Sequence, residues 1–226
     1  FSSNEFRFIA KPKLEFPIST ELINGEFLID LINGKFEQNY DTTDDLKYSF
    51  LNLGFNPNFE VLRENLTVNL GAKLYYSSDL DNKTNKFYAY PNVTASFKLV
   101  DEVFILVAGV TGDLIQNTYR DLSTENPYVS PTLSIQQTDA QYKAFVGAKG
   151  KLASNIGYNF SVSHTNEQNK PLFIQNQTKT DGTINVVNAY EAGNSFGVTY
   201  DNVKTLGFFG ELSIDASKEF NFGGTI

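Results

Sequence analysis

A two-residue alternation of apolar and polar side chains most constrains the fold of this chain. From Leu66 to Tyr76 the even positions are apolar or aromatic and the odd positions are mostly polar or small. From Phe87 to Leu99 the same alternation appears with the opposite parity. Successive side chains of a strand point to opposite faces, so each run predicts a strand with one apolar and one polar face. Both runs are longer than the ~5–6 residues of ordinary strands and reach the ~9–11 residues of a membrane-spanning barrel strand.

Similar segments follow one another along most of the chain. The alternation predicts strands at Leu46–Phe59, Asn65–Ser77, Lys86–Val100, Glu102–Ile115, Gln141–Ala153, Ile156–Thr165, Ser195–Tyr200, Val203–Ser217 and Lys218–Ile226. Short turns alternate with longer polar connections, at residues 78–85 and, longest of all, near 116–140 and 166–194. Short turns at one end and long loops at the other are typical of outer-membrane barrels.

The N-terminal region predicts shorter strands. An alternating segment from Phe6 to Phe16 is interrupted by Pro12 and closed by Pro17, which indicates an edge or bent strand. Two Asn-Gly pairs follow, at positions 24–25 and 33–34. Asn-Gly favours the type I′ turn of a hairpin, so we expect a three-stranded meander from about Thr20 to Tyr40.

The two faces of the predicted strands have different surroundings. A charged side chain costs about 2–4 kcal/mol at the midplane of a membrane, so the charged parity is expected to face the barrel lumen. The lumen-facing candidates are Asn69, Lys73, Tyr75, Tyr88, Tyr90, Lys98, Lys143, Lys149, Lys151, Ser161 and Glu211. The lysines could form a stripe that favours anions, or they could pair with carboxylates such as Glu211 and Asp215.

Composition excludes several classes of function. The longest apolar run, Val103–Val110, is far shorter than the ~20 residues of a membrane helix, so a membrane role requires a barrel. The net charge of −8 disfavours nucleic acid. With no cysteine and a single histidine, His164, the sequence predicts no catalytic triad, no metal site and no cofactor. We therefore expect a protein that is not an enzyme.

The segment from Asn126 to Leu133 differs from the other polar connections. Pro127 and Pro131 stiffen it, and Tyr128 offers an aromatic contact. Such a loop is suited either to contact another envelope protein or to fold into the mouth of the barrel.

A longer stretch around this segment resembles a known family. From Asn126 to His164 the chain has an Asn-Pro loop, a Thr-Asp turn at 138–139, and Gly147-Ala148-Lys149-Gly150 in the first strand of a hairpin. This pattern resembles the barrel region of TonB-dependent-receptor-like outer-membrane proteins of Bacteroidota. The resemblance implies a location in the bacterial outer membrane, with membrane lipid around the barrel.

These observations predict an all-β protein, an antiparallel up-and-down transmembrane β-barrel with about 10–12 strands in this chain. We expect residues 1–226 to form a single barrel domain. Because the chain begins without methionine and stops within an alternating segment, we expect it to be part of a longer barrel. Two functions remain open: a transport or pore-forming barrel, and a non-transporting structural or interaction subunit of an outer-membrane complex.

Overall fold

A computed structural model describes residues 3–18, 21–42, 44–180, 188–217 and 220–225 of the chain. It contains one antiparallel sheet of eleven strands. They are β1 (Ser3–Ala10), β2 (Lys13–Ile18), β3 (Glu21–Phe36), β4 (Leu46–Leu62), β5 (Leu66–Asp79), β6 (Thr84–Val100), β7 (Phe104–Gln116), β8 (Gln137–Ala153), β9 (Ile156–Gln175), β10 (Phe196–Ser217) and β11 (Phe220–Thr225). The all-β, up-and-down architecture predicted from the sequence is confirmed.

Strand order follows chain order, except at the N-terminal edge. Both β1 and β2 pair with β3, and from β3 to β11 each strand pairs with the next. Pro12 lies between β1 and β2, where the edge strand is broken as predicted, whereas Pro17 lies inside β2 and does not interrupt it. Helical structure in the described residues consists of α1 (Tyr119–Glu125) and a 3-10 helix at Ala189–Ala192. Neither of these helices has the length and apolarity needed to cross a membrane.

The sheet has two chemically different faces. We call the face that carries most polar side chains the inner face, and the opposite one the outer face. The outer face exposes many large apolar side chains, among them Phe6, Phe8, Phe27, Phe55, Leu70, Phe97, Val146, Phe160, Leu206 and Phe208. A continuous apolar surface of this kind is typical of the lipid-facing side of a barrel.

Hydrogen bonds across the inner face show that this face is concave. The Tyr75 hydroxyl of β5 donates to Asp113 Oδ1 of β7 over 2.7 Å, passing over β6. Gln137 Nε2 of β8 donates to Asn52 Oδ1 of β4 over 2.8 Å. Neighbouring strands lie about 4.8 Å apart, so β4 and β8 meet only because the sheet curls around the inner face. Register shifts in β7 and β8, between Thr111 and Asp113 and between Ala140 and Tyr142, accompany this bend.

The predicted meander at residues 20–40 is wrong. Both Asn-Gly pairs lie inside β3, which runs unbroken from Glu21 to Phe36 and pairs with β4 along its whole length. Pairing on both sides of the strand outweighs the local preference for a turn. Gly34 is explained by packing rather than by a turn, because a Cβ at this position would overlap the Tyr48 ring that packs over it.

Several predicted connections are too long. The connection between β5 and β6 is a tight turn at Leu80–Lys83, and the long ones shrink to residues 117–136 and 176–195. The two predicted strands at 195–217 form a single strand, β10, with a register shift between Asp201 and Val203. In these places strand pairing continues through polar residues that were predicted to form loops. Residues 218, 219 and 226 of the last predicted strand lie outside the described residues.

Candidate functional site: an inner loop across the concave face

The connection between β7 and β8, residues 117–136, folds over the inner face; we call it the inner loop. It begins with α1, whose N-cap residue Thr118 accepts a hydrogen bond from Asp121 N over 2.9 Å. Asn117 Nδ2 donates to Gln136 O and to Thr138 Oγ1, over 2.8 and 2.9 Å. The two ends of the inner loop are therefore tied together, which fixes its direction over the sheet.

The inner loop supplies half of the main apolar core. Its four buried apolar side chains are Leu122, Val129, Leu133 and Ile135. They pack against four buried side chains of β3 and β4, which are Ile32, Phe36, Tyr48 and Phe50, and against Phe173, Phe196 and Val198 of β9 and β10. The loop thus contacts both walls of the curled sheet. Burial of this apolar surface holds it inside the concavity.

Polar contacts fasten the inner loop to the same two walls. On one side, the Glu5 carboxylate of β1 accepts hydrogen bonds from Tyr119 N over 2.7 Å and from the Tyr48 hydroxyl over 2.6 Å. A carboxylate at the first turn of a helix is favoured by the helix dipole. On the other side, Ser130 N donates to Phe196 O and Phe196 N to Tyr128 O, both over 2.9 Å. The loop therefore bridges β1 and β10.

An ion pair of the inner face lies under the same region. Arg7 of β1 donates two hydrogen bonds to Asp30 of β3, from Nε over 2.9 Å and from Nη2 over 2.7 Å. Asp30 is almost fully buried. A bidentate pair of this kind fixes the edge strand to the sheet.

Four predicted lumen residues belong to two tyrosine–carboxylate clusters. Lys73 and Tyr75 share Asp113, over 2.6 and 2.7 Å. Tyr90 donates to Asp139 over 2.8 Å, and the Tyr88 ring stacks on the Tyr90 ring with 6.1 Å between centroids. Asp113 and Asp139, the two carboxylates, are not among the predicted lumen residues. Both lie beside register shifts, where odd or even position in the sequence no longer predicts which face of the sheet a side chain occupies.

A network of amides beside these clusters was also missed. Gln116 Oε1 accepts from Asn52 Nδ2 over 3.2 Å and from Gln137 Nε2 over 2.8 Å, and Ser77 Oγ donates to Gln137 over 2.9 Å. These groups come from four strands, and Asn52, Ser77 and Gln116 are buried. Single uncharged polar residues carry no distinctive sequence signal, so only the curl of the sheet reveals the network.

Lys143 lies near the middle of β8, and the other remaining lumen candidates lie toward the short turns. Asn69 donates to Thr94 over 3.3 Å. Lys149 and Glu211 line a shared cavity of about 360 Å³. The other members of this group are Lys98, Lys143 and Ser161.

The predicted pairing of the lumen lysines with carboxylates is found at two positions, the first of which is Lys73 with Asp113 over 2.6 Å. Lys151 pairs with Glu102 over 2.7 Å, at the turn between β6 and β7. Lys98, Lys143 and Lys149 form no salt bridge with any residue in the described ranges. The side chain of Asp215 lies outside the described residues.

The partner-loop candidates lie on the exposed side of the inner loop. Tyr128 is 70% exposed and Pro127 is exposed, while Pro131 is half-buried. Val129, between them in sequence, is buried. The loop therefore folds into the mouth with one side and leaves Tyr128 available to a partner on the other.

Two further loops meet above this mouth. The Tyr40 hydroxyl donates to Gln177 O over 2.5 Å, and Lys179 Nζ lies 4.5 Å from the centre of the Tyr40 ring. Lys179 also pairs with Glu191 over 3.5 Å. The pKa of Glu191 is lowered, first by its hydrogen bond from Asn188 N and then by Lys179. No cluster of acidic and histidine side chains in the described residues is suited to hold a metal ion.

The curled antiparallel sheet, its apolar outer face and its polar inner face define the fold as that of an outer-membrane β-barrel wall. Solved structures support this fold. The copper transporter OprC matches with a TM-score of 0.61 and 14% identity, over 96% of this chain and 35% of its own. The pyoverdine outer-membrane receptor FpvA from Pseudomonas aeruginosa PAO1, bound to pyoverdine, matches with a TM-score of 0.54 and 13% identity, over 99% of this chain and 35% of its own.

A third match is the outer-membrane transporter YddB from Escherichia coli, with a TM-score of 0.52 and 10% identity, over 94% of this chain and 30% of its own. The chain thus spans about a third of the length of these structures. No protein-family model and no curated protein matches it. The structural matches show that this chain shares their fold.

Proposed function

We propose that this chain is the wall of a transport barrel in the bacterial outer membrane, and that the inner loop closes its passage. The barrel is of the TonB-dependent-receptor-like type, and a Bacteroidota origin is part of the proposal. The observation that carries it is the inner loop packed between β3–β4 on one wall and β9–β10 on the other. In this proposal the inner face is the lumen, and residues 1–226 are part of a longer barrel.

A closed passage explains the chemistry of the inner face better than an open pore. An open aqueous pore needs polar, hydrated walls, whereas the loop end of this face is filled by apolar side chains such as Phe36 and Leu133. Transport through such a barrel requires the inner loop to move. The matched structures described as transporters and a receptor lend support at the level of fold.

Single-channel conductance in a planar bilayer tests this function. The wild-type protein is expected to insert without conducting. Leu133→Asp, which places a charge where 2% of the side chain is exposed, is expected to release the inner loop and produce conductance steps. Tyr128→Asp is the matched control, because it adds the same charge to the exposed side of the same loop.

The outcomes separate the two functions. Open steps in the wild-type protein would show that the inner loop is no barrier. Silence of Leu133→Asp, with insertion retained and the loop shown to be released by protease cleavage within residues 117–136, would contradict transport through this lumen. That result would favour the alternative, a structural or interaction subunit, for which the exposed Tyr128 is the contact to examine.

A further inference from the structure

An apolar groove runs along the outer face between β6 and β10. Its upper part, on the side of the long loops, has a volume of about 590 Å³. Small side chains form its floor and larger ones its borders. Residues that line it on the outer face include Ala108, Ala144, Val146, Val162, His164 and Leu206.

The groove continues toward the short turns. A second part of about 610 Å³ is lined on the outer face by Leu106, Ala148, Phe160, Phe208 and Gly210 and shares Val146 and Val162 with the first part. Phe208 and Leu206 stand out beside it, 72% and 61% exposed. Both parts are shallow and apolar, and together they offer an extended surface that a flexible hydrocarbon chain can cover.

His164, the polar residue that lines the groove from the outer face, lies at its loop end. The His164 ring stacks on Tyr142, with 5.8 Å between ring centroids. On β10, Leu206 pairs with His164 and Lys204 pairs with Asn166. Lys204 therefore lies diagonally from His164 on the same face, at a separation of about 7–8 Å.

The cation at this end is available to a ligand. Lys204 is exposed and forms no salt bridge within the described part of the chain. Glu167, which follows the Asn166 that pairs with Lys204, forms a salt bridge with Lys170 over 2.5 Å. An aromatic residue, a histidine and a lysine at the upper limit of an apolar band mark the level of lipid headgroups.

We propose that this groove binds one phosphorylated lipid of the outer leaflet. An acyl chain lies along the groove, and a headgroup phosphate is contacted by Lys204 and His164. The proposal rests on the proposed orientation of the barrel, with its long loops outside. The complementarity between the exposed cation and a phosphate favours a phosphorylated lipid over a neutral one.

Native mass spectrometry of the full chain in nanodiscs tests the proposal. The nanodiscs contain phosphatidylcholine with a minor fraction of bis-phosphorylated lipid A. The wild-type protein is expected to retain one lipid A molecule. Lys204→Glu is expected to reduce this occupancy by about fivefold or more, and Ala144→Phe to reduce it by filling the groove. The controls are Lys83→Glu, in the distant turn between β5 and β6, and Ala72→Phe, on the outer face of β5.

Each outcome decides the matter. Equal retention of phosphatidylcholine and lipid A by the wild-type protein would overturn the proposal, as would equal losses in the test and control variants. Displacement of lipid A by millimolar inorganic phosphate would show an anion site without an acyl chain, which also overturns it. Folding and insertion are followed by the heat-dependent shift of the band on gels. Insertion without selective lipid overturns only this inference, whereas failure to insert overturns the proposed function as well.

Discussion

The two ends of the inner face differ in what covers their side chains, although neighbouring strands of one sheet form both ends. At the loop end, apolar side chains and hydrogen-bonded amides are buried beneath the inner loop. At the turn end, Lys149 is exposed and free of salt bridges to described residues. The same strands thus carry a packed core at one end and a hydrated surface at the other. In the proposed function, the barrier to passage therefore lies at one end of the inner face and is formed by a loop.

The largest expected effect comes from the core at the loop end. Phe36→Ala removes a ring that is 1% exposed and contacts both the Tyr48 and Tyr119 rings. We expect a loss of about 3–5 kcal/mol in the free energy of unfolding. Urea unfolding in detergent micelles, followed by circular dichroism, measures it. Phe208→Ala on the outer face is the control. An equal loss of unfolding free energy in this variant would show that the inner-loop core contributes no more to stability than the outer face does.

A smaller effect separates the two glycines of β3. Gly34→Ala brings a methyl group into the Tyr48 ring, so a loss of about 1–3 kcal/mol is expected. Gly25→Ala is the matched control, because its new Cβ meets only the Phe55 ring at 3.5 Å. It should be neutral or slightly stabilising. The same unfolding measurement applies, and destabilisation of Gly25→Ala by the same amount would contradict the packing role of Gly34.

The turn end is expected to affect ion preference rather than stability. In a barrel opened by Leu133→Asp, the added change Lys149→Glu should shift the reversal potential in a salt gradient toward cation preference. The free energy of unfolding should change by about 0.5 kcal/mol or less. Lys11→Glu, between β1 and β2, carries the same charge change away from the cavity that Lys149 shares with Glu211. Equal shifts in both variants would contradict the placement of Lys149 in the passage.

The smallest effect concerns the exposed pair at the turn. The Lys151 ammonium donates a hydrogen bond to Glu102 and lowers the pKa of this carboxyl below its usual value. A lowered pKa in the folded state adds stability at neutral pH that is lost as the pH falls through the folded-state value. Because both side chains are exposed, the change in stability should be slight. A carboxyl titration by NMR should show the pKa of Glu102 rising in Lys151→Gln, and an unchanged value would contradict the pairing.

The strands of this protein could be predicted because strand alternation is a local property. The alternation from Leu66 to Tyr76 is sufficient to assign the apolar and polar faces of this strand. The observed bounds of β5 and β6 are close to the predicted ones. Turn residues were less reliable. The Asn-Gly pairs of β3 favour turns locally, but β3 gains hydrogen bonds on both sides by remaining extended, and Gly34 makes room for Tyr48.

By itself, the sequence determined an antiparallel sheet with an apolar and a polar face, because side-chain direction follows from the two-residue period alone. Only the tertiary structure decided what the polar face contains. The curl brings Asn52 of β4 to Gln137 of β8. It also places Leu133 and Phe36, which are far apart in sequence, in one core. Such contacts depend on the curvature of the whole sheet. Each strand contributes a small part of this curvature, so it cannot be predicted from a single segment.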